Sequence, residues 1–383
     1  MFHLLLSIIY LSFISLGLPD GLLGAAWPSI YPEMNIPVSY AGIISIIICI
    51  GTITSSLLSE RFTYQFGTGK VTVISVAMTA LALLGFSMSD SFWMLCLWAI
   101  PYGLGAGSVD AALNNYVALH YSSRHMSWLH CMWGVGASIG PYILGLILTC
   151  GNRWSQGYLY VGVAQIILST IILFSLPLWK QVNQSEQAEP LGIKQTVQLP
   201  GAKQAMISFF SYCALEQTAA LWSASYFHLH GGFNAETAAY LGSLFFMGIT
   251  LGRAISGFIA SKLTDHTMIC FGFGITTVGI ILLLMPLGQF SAFTGLLAIG
   301  LGCSPIYPCM MHATPALFGA ARSQALMGIQ TASAYVGTAL MPPLFGLIAN
   351  HISISLLGLF LLIHLILMVL SYQKLMKLCK KSA

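Results

Sequence analysis

Apolar residues fill this chain in long blocks, and polar residues gather in the short gaps between them. A helix that crosses a bilayer needs roughly 20 predominantly apolar residues. Blocks of that length predict twelve spanning helices, at 3–30, 38–58, 70–89, 92–120, 126–149, 156–178, 204–228, 236–261, 267–286, 290–316, 322–348 and 352–373. The stretch 179–203 is polar and longer than the other gaps. It divides the chain into a first domain at 1–178, a linker, and a second domain at 204–383. The predicted class is an all-α membrane protein with two pseudo-symmetric six-helix bundles.

One block breaks the apolar rule. Gly103 to Tyr121 reads GLGAGSVDAALNNYVALHY. Its small residues, among them Gly103, Gly105, Gly107, Ala111 and Ala112, allow neighbouring helices to approach closely. It nonetheless carries Asp110 and, one turn later, Asn114 and Asn115. A carboxylate at membrane depth is costly unless it is paired, protonated or wetted, so by default it marks a functional position.

Composition supports the membrane reading. Of 383 residues, 57% are hydrophobic and 6% charged, whereas a soluble domain runs at about 25% charged. A soluble fold of this length is excluded. The net charge of +4 carries no argument for nucleic-acid binding. The nine cysteines form no CxxC pair and lie mostly in apolar blocks, so neither a disulfide framework nor a metal site is expected. The first block begins without the Lys/Arg-rich start of a signal peptide and is read as a retained helix. With the N-terminus inside, 13 of the 14 Lys and Arg residues fall in inner loops or at inner helix ends, Arg253 among them, and Arg153 alone falls outside. That bias predicts a multi-pass protein of the cell's inner membrane with both termini cytoplasmic.

The halves repeat. GLGAGS at 103–108 matches GLGCSP at 300–305, and IGTIT at 50–54 matches MGITL at 247–251, each at an offset of 197. VGASIGP at 135–141 matches VGTALMP at 336–342 at 201, and Asp20 matches Glu216 at 196.

Three of the ten acidic residues fall within predicted spans: Asp20, Asp110 and Glu216, on helices 1, 4 and 7. Asp20 sits in GLPDG, where Pro19 removes a backbone donor and Gly17 and Gly21 loosen the turn, so helix 1 should bend or open there. The hairpin between helices 4 and 5 turns near Ser122, which puts Asn114 and His130 at similar depth, with Asp110 one turn deeper on the face of Asn114. An Asp–Asn–His cluster suits holding a proton. A packing role for His130 is weighed equally. No Lys or Arg lies at mid-depth on the helices that carry these acids, 1, 4 and 7, or on helix 10, the repeat counterpart of helix 4, so a neutral or cationic ligand is expected. Trp27, Trp133, Trp222 and Tyr307 are candidate aromatic contacts, with Gln217, His312 and Gln330 as polar ones. Aromatic faces beside amides and carboxylates suit a sugar. Any single Trp is more often a packing or interfacial anchor.

GAGSVDAALNNYVA, read from Gly105, resembles the glycine–small–acid–x–x–x–Asn pattern of the fucose–proton symporter family within the major facilitator superfamily. LPDGLL around Asp20 resembles that family's helix 1 acid. The resemblance covers the whole topology, with specific motifs on helices 1, 4 and 5. It implies two parallel six-helix repeats with helices 1, 4, 7 and 10 lining a central cavity. It also implies proton-coupled sugar uptake, with Asp110 tied to sugar and proton and Asp20 to protonation. There are departures. The superfamily's 2–3 loop signature is reduced to Ser59-Glu60-Arg61 and Gly67-Thr68-Gly69-Lys70, His130 replaces a helix 5 amide, and Glu216 is an additional acid. Gly136-x-x-x-Gly140-Pro141 resembles the antiporter motif of drug exporters.

The expected function is proton-coupled symport of a neutral sugar or similar small polar solute. The alternative is a proton antiporter exporting cationic or amphipathic compounds. A receptor or enzyme on the same scaffold has no nucleophile motif or cofactor fingerprint in its favour. No cofactor is expected beyond the proton gradient, with Na⁺ as the other coupling ion. The expected partners are a small solute and the lipid bilayer, not nucleic acid, and the expected state is a monomer.

Overall fold

The computed structural model describes residues 2–37, 40–179, 191–233, 235–285 and 289–382. Among these the chain is helical throughout. In chain order the helices are α1 (Phe2–Gly17), α2 (Leu22–Glu33), α3 (Ala41–Phe66), α4 (Thr68–Ser87), α5 (Phe92–His120), α6 (Ser123–Thr149) and α7 (Trp154–Phe174). There follow α8 (Ile193–Gln198), α9 (Ala202–Leu229), α10 (Ala235–Ile259), α11 (Asp265–Leu284), α12 (Gln289–Cys303), α13 (Ile306–Phe318), α14 (Ala320–His351) and α15 (Leu357–Ser382). The pairs α1–α2 and α12–α13 are each one predicted span broken in two, so the twelve-helix fold stands. Part of the predicted linker, 180–190, lies outside the described residues. Ile193–Gln198 within it is helical.

Ten helical segments among the described residues are long and apolar enough to cross a membrane. The other two spans are α9, which is too polar to qualify, and α10. In α9, Ser208, Ser211, Glu216, Thr218 and Ser223 are buried, so its polar side faces protein. Elsewhere large apolar side chains such as Ile46, Ile50, Leu97, Phe174 and Leu367 point outward. This is the pattern of a surface solvated by lipid.

Several helices outrun their predicted spans. α3 continues through Glu60 and Arg61, and α15 through Lys374 and Lys377. The apolar block marks the membrane, whereas backbone hydrogen bonding carries the helix beyond it. Gly67 (φ 77°) and Gly319 (φ 87°) adopt left-handed backbone that lets one helix follow another after a single residue.

The chain forms two compact units. One comprises 1–116 and 129–191, the other 117–128 and 192–383. The tip of the α5–α6 hairpin thus belongs to the second unit. Inside each unit the same crossing recurs. In the first, a methyl added to Gly103 would overlap the Ile48 carbonyl, and one on Gly51 would press on the backbone of Gly103 and Leu104. In the second, a methyl on Gly300 would overlap the Phe245 carbonyl, and one on Gly248 would press on Leu297, Gly300 and Leu301. Gly51 and Gly103 map onto Gly248 and Gly300 at the offset of 197. A second crossing repeats likewise: Gly136 rests on Ile14 of α1, and Gly337 on Phe210 of α9.

These contacts leave no room for a side chain. Gly103→Leu and Gly300→Leu should each lower the melting temperature in detergent by about 5–10 °C. Gly274→Ala, where nothing lies within 4 Å of the added carbon, should leave it unchanged. Thermal unfolding followed by circular dichroism checks both.

Candidate functional site

The first unit builds its polar centre around the gap between α1 and α2. Pro19 has no N–H to extend the helix, and the chain turns through Asp20 N–H to Gly17 O (3.1 Å) and Leu22 N–H to Pro19 O (3.1 Å). The turn lies against α6. Methyls on Gly17 and Gly140 would overlap the Trp133 and Leu18 carbonyls, and one on Gly21 the Pro141 ring. The run Gly136-x-x-x-Gly140-Pro141 is therefore the bed on which the break rests. From it Asp20 reaches two donors: Trp133 Nε1–H on α6 at 2.9 Å and the Tyr102 hydroxyl on α5 at 3.1 Å. Asp20 remains exposed.

Asp110 lies deeper, 7% exposed, and within Coulombic reach of Asp20. Asn114 Nδ2 donates to its Oδ1 at 2.9 Å and to its main-chain carbonyl at 3.0 Å. With its nitrogen turned to Asp110, Asn114 presents Oδ1 to His130 Nε2 at 3.1 Å, so His130 is the donor. Phe13 of α1 stands edge-on to the imidazole, 5.6 Å between centroids. Asn114 is fully enclosed, and Asn115 and His130 are buried. The sequence-predicted trio on helices 4 and 5 thus forms one hydrogen-bonded row. Tyr102 is missing from the sequence reading, although it lies about two turns before Asp110 on the same helix.

The second unit has a different centre. Glu216, halfway along α9, lies 3.4 Å from Arg253 of α10, and both are buried. Arg253 stands about two turns before the end of α10, and the charge pattern gave no sign that it is buried and paired. Glu216 supplies the counter-charge that allows a guanidinium to be buried. Arg253 lies on the eighth span, so helices 1, 4, 7 and 10 still carry no Lys or Arg at mid-depth, but a buried guanidinium stands beside the acid of helix 7. Tyr307 packs on Tyr212 (5.6 Å) and edge-on to Phe209 (5.0 Å). Gln217 is half-buried beside Glu216.

Four predicted positions are engaged elsewhere. Trp27 is packed into the apolar core with Leu22, Ile30, Phe86 and Trp154. Trp222 donates to the Pro342 carbonyl at 2.9 Å and packs on Phe345. Gln330 Oε1 accepts from the Thr314 hydroxyl at 3.2 Å. His312 belongs to a cluster at the start of α11. Its Nδ1 meets Asp265 Oδ2 at 2.6 Å, its Nε2 meets the Tyr121 carbonyl at 3.2 Å, and Ser123 donates to the other Asp265 oxygen. Both ring nitrogens face acceptors, so the arrangement is complete only with the ring doubly protonated. Sequence offered no signal for this cluster, because its members are 47 to 191 residues apart. Nor did it foresee the break of helix 10 at Ser304-Pro305, although Pro305 is the residue that stops α12. Among the described residues no cluster of His, Cys, Asp and Glu suits a metal ion.

A family model described as Major Facilitator Superfamily matches residues 9–311. The chain is 21% identical to the Saccharomyces cerevisiae protein named Bypass of stop codon protein 6, over 66% of this chain and 56% of that one. It is 22% identical to the cis,cis-muconate transport protein of Acinetobacter baylyi, over 66% and 64%. The chain thus spans less than two thirds of either relative. Among solved structures it resembles the E. coli fucose:proton symporter (TM-score 0.77, 15% identity, 97% of this chain and 98% of that one). It also resembles the proton:xylose symporter XylE (TM-score 0.76, 13% identity, 95% and 94%).

The His312 cluster gives a stability prediction. In detergent, His312→Asn and Asp265→Asn should each destabilise the protein. A double-mutant cycle of unfolding should show a coupling of about 0.5–3 kcal/mol. Additive effects would mean that the two side chains do not interact in solution.

Proposed function

Because the chain belongs to the Major Facilitator Superfamily, we propose that it is a secondary active transporter that carries a sugar or similar small polar solute together with protons. The observation that supports this most is the first unit's polar centre. An exposed carboxylate at a helix break stands within Coulombic reach of a second, enclosed one, and that one is hydrogen-bonded through Asn114 to His130. Where two carboxylates feel each other's charge in a low dielectric, one of them holding a proton is favoured over both being charged. Asp20 is the group that meets solvent and Asp110 the one held within the bundle. Trp133 and Tyr102, which hold Asp20, also offer the aromatic faces and hydroxyl that a sugar ring uses. Two solved neighbours are proton symporters of fucose and xylose, which agrees with this reading. The lysines and arginines near helix ends favour cytoplasmic termini.

A second reading, transport of an organic acid, has the buried Arg253 in its favour, and one relative is named as a muconate transport protein. Export of cations has less support, because its motif-like glycines are occupied in seating α1.

In proteoliposomes, an imposed inward proton gradient should drive accumulation of radiolabelled L-fucose, D-xylose or D-galactose, and a protonophore should abolish it. Asp110→Asn should lower gradient-driven accumulation by at least about tenfold while sparing solute–solute exchange, because exchange requires no net proton release. Undiminished accumulation in that variant, or accumulation that follows sodium instead, would overturn the proposal.

A further inference from the structure

Arg253 has no charged counterpart in the first unit. The repeat offset of 197 sets it where Ser56 stands on α3. One half therefore has a hydroxyl where the other has a guanidinium, a group that stays protonated throughout the physiological range. Arg253 is 6% exposed. Its Nη2 lies 3.4 Å from Glu216 Oε1, well beyond the roughly 2.7–2.9 Å of a strong charge-assisted hydrogen bond. A buried ion pair offsets the loss of hydration only when its geometry is very good. The Glu216 contact is therefore not itself a strong hydrogen bond, and the carboxylate can give way to another.

The surroundings fit that view. Glu216 is buried, with 12% of its side-chain surface exposed. The titratable and charged groups around it are Tyr212 and Cys213 on α9, Arg253 on α10 and Cys303 at the end of α12. Of the helices packed along α9, α15 brings His364 beside Phe210. None of these except Arg253 carries a permanent positive charge. Half-buried Tyr307 packs edge-on to the fully buried Phe209 and against Tyr212.

When Glu216 takes a proton, a negative charge beside Arg253 disappears. Any anion that takes its place is then favoured, and by reciprocity an anion bound at Arg253 favours the proton on Glu216. We propose that Arg253 receives a carboxylate group of the transported solute as Glu216 is protonated. The solute class is a small hydroxylated carboxylic acid, such as an acidic sugar. Charge and atoms balance: one proton goes to the Glu216 oxygen, one solute carboxylate replaces that oxygen on the guanidinium, and the net charge of the unit is unchanged. This inference rests on the transporter reading above and narrows its solute.

The test uses the purified full chain in detergent, with D-galacturonate and D-galactose as probes that share a ring and differ in charge. Wild type should bind the acid at least about tenfold more tightly than the neutral sugar. Its affinity for the acid should rise from about pH 8 to about pH 6, approaching about tenfold per pH unit for one linked proton. Glu216→Gln should bind the acid as tightly at high pH as wild type does at low pH and lose the slope. The charge-free pair Glu216→Gln/Arg253→Gln, which keeps side-chain length without stranding a charge, should lose the preference for the acid. Equal binding of the two probes by wild type, or a slope that persists in Glu216→Gln, overturns the inference. Proton-driven D-galactose uptake that is lost in Asp110→Asn, without preference for the acid, would leave the transporter reading standing and remove this one. Arg253-dependent binding of D-galacturonate without any uptake of neutral sugars would support this one and remove the neutral sugar, whereas Arg253-dependent binding of cis,cis-muconate but not D-galacturonate would overturn the hydroxylated class.

Discussion

A carboxylate enclosed by apolar helices must find donors within hydrogen-bonding distance, and this requirement governs the molecule. Donors come close only where backbones do. The glycines of α6 bring α1 so near that the turn at Asp20 lies under the Trp133 indole. Gly103 and Gly107 draw α5 against α3, on the same helix that brings Tyr102 to Asp20 and presents Asp110 to Asn114. The small residues and the acids are therefore parts of one device. Helices that can touch backbone to backbone allow a few polar side chains to satisfy one another where water is scarce.

The two units use that device for different ends. Each has the paired-glycine crossing and the glycine contact under its first helix, at matching positions. The first unit interrupts that helix and answers its acid with an indole and a phenol. The second leaves α9 continuous and answers its acid with a guanidinium. Its interruption falls instead at Ser304-Pro305, between α12 and α13. Gly107 faces Ser55 in the first unit, and Ser304 faces Gly252 in the second, so even the filler of the crossing has changed sides. The duplicated frame holds the shape, and divergence at a handful of positions sets the chemistry.

What could be read from the chain was local or periodic. Apolar blocks of spanning length gave the helices, Pro19 between two glycines gave the break in helix 1, and equal distances from Ser122 placed Asn114 opposite His130. What could not be read depended on partners far away in sequence. Arg253 resembled an ordinary basic residue near a helix end until Glu216, 37 residues earlier, was seen to hold it. His312 had the credentials of a cavity residue, but Asp265 and the Tyr121 carbonyl claim it. Trp27 is an aromatic on the right helix that faces the core. Hydropathy registers depth, not azimuth, and azimuth decides whether a side chain meets a neighbour or an opening.

The unequal centres have an electrical corollary. No ion pair among the described residues involves Asp20 or Asp110, whereas Glu216 is matched by Arg253. An unloaded first unit with both acids ionised carries its negative charge within the membrane field, and a proton removes part of it. Displacing one elementary charge through the full field changes the free energy by about 2.3 kcal/mol per 100 mV. On the transport reading proposed above, the return of the empty carrier is the step that the membrane potential accelerates or holds back, and the balanced ion pair of the other half adds nothing to it. Pre-steady-state currents on a planar bilayer would register that displacement directly, and a voltage-independent return would show that the acids travel already neutralised.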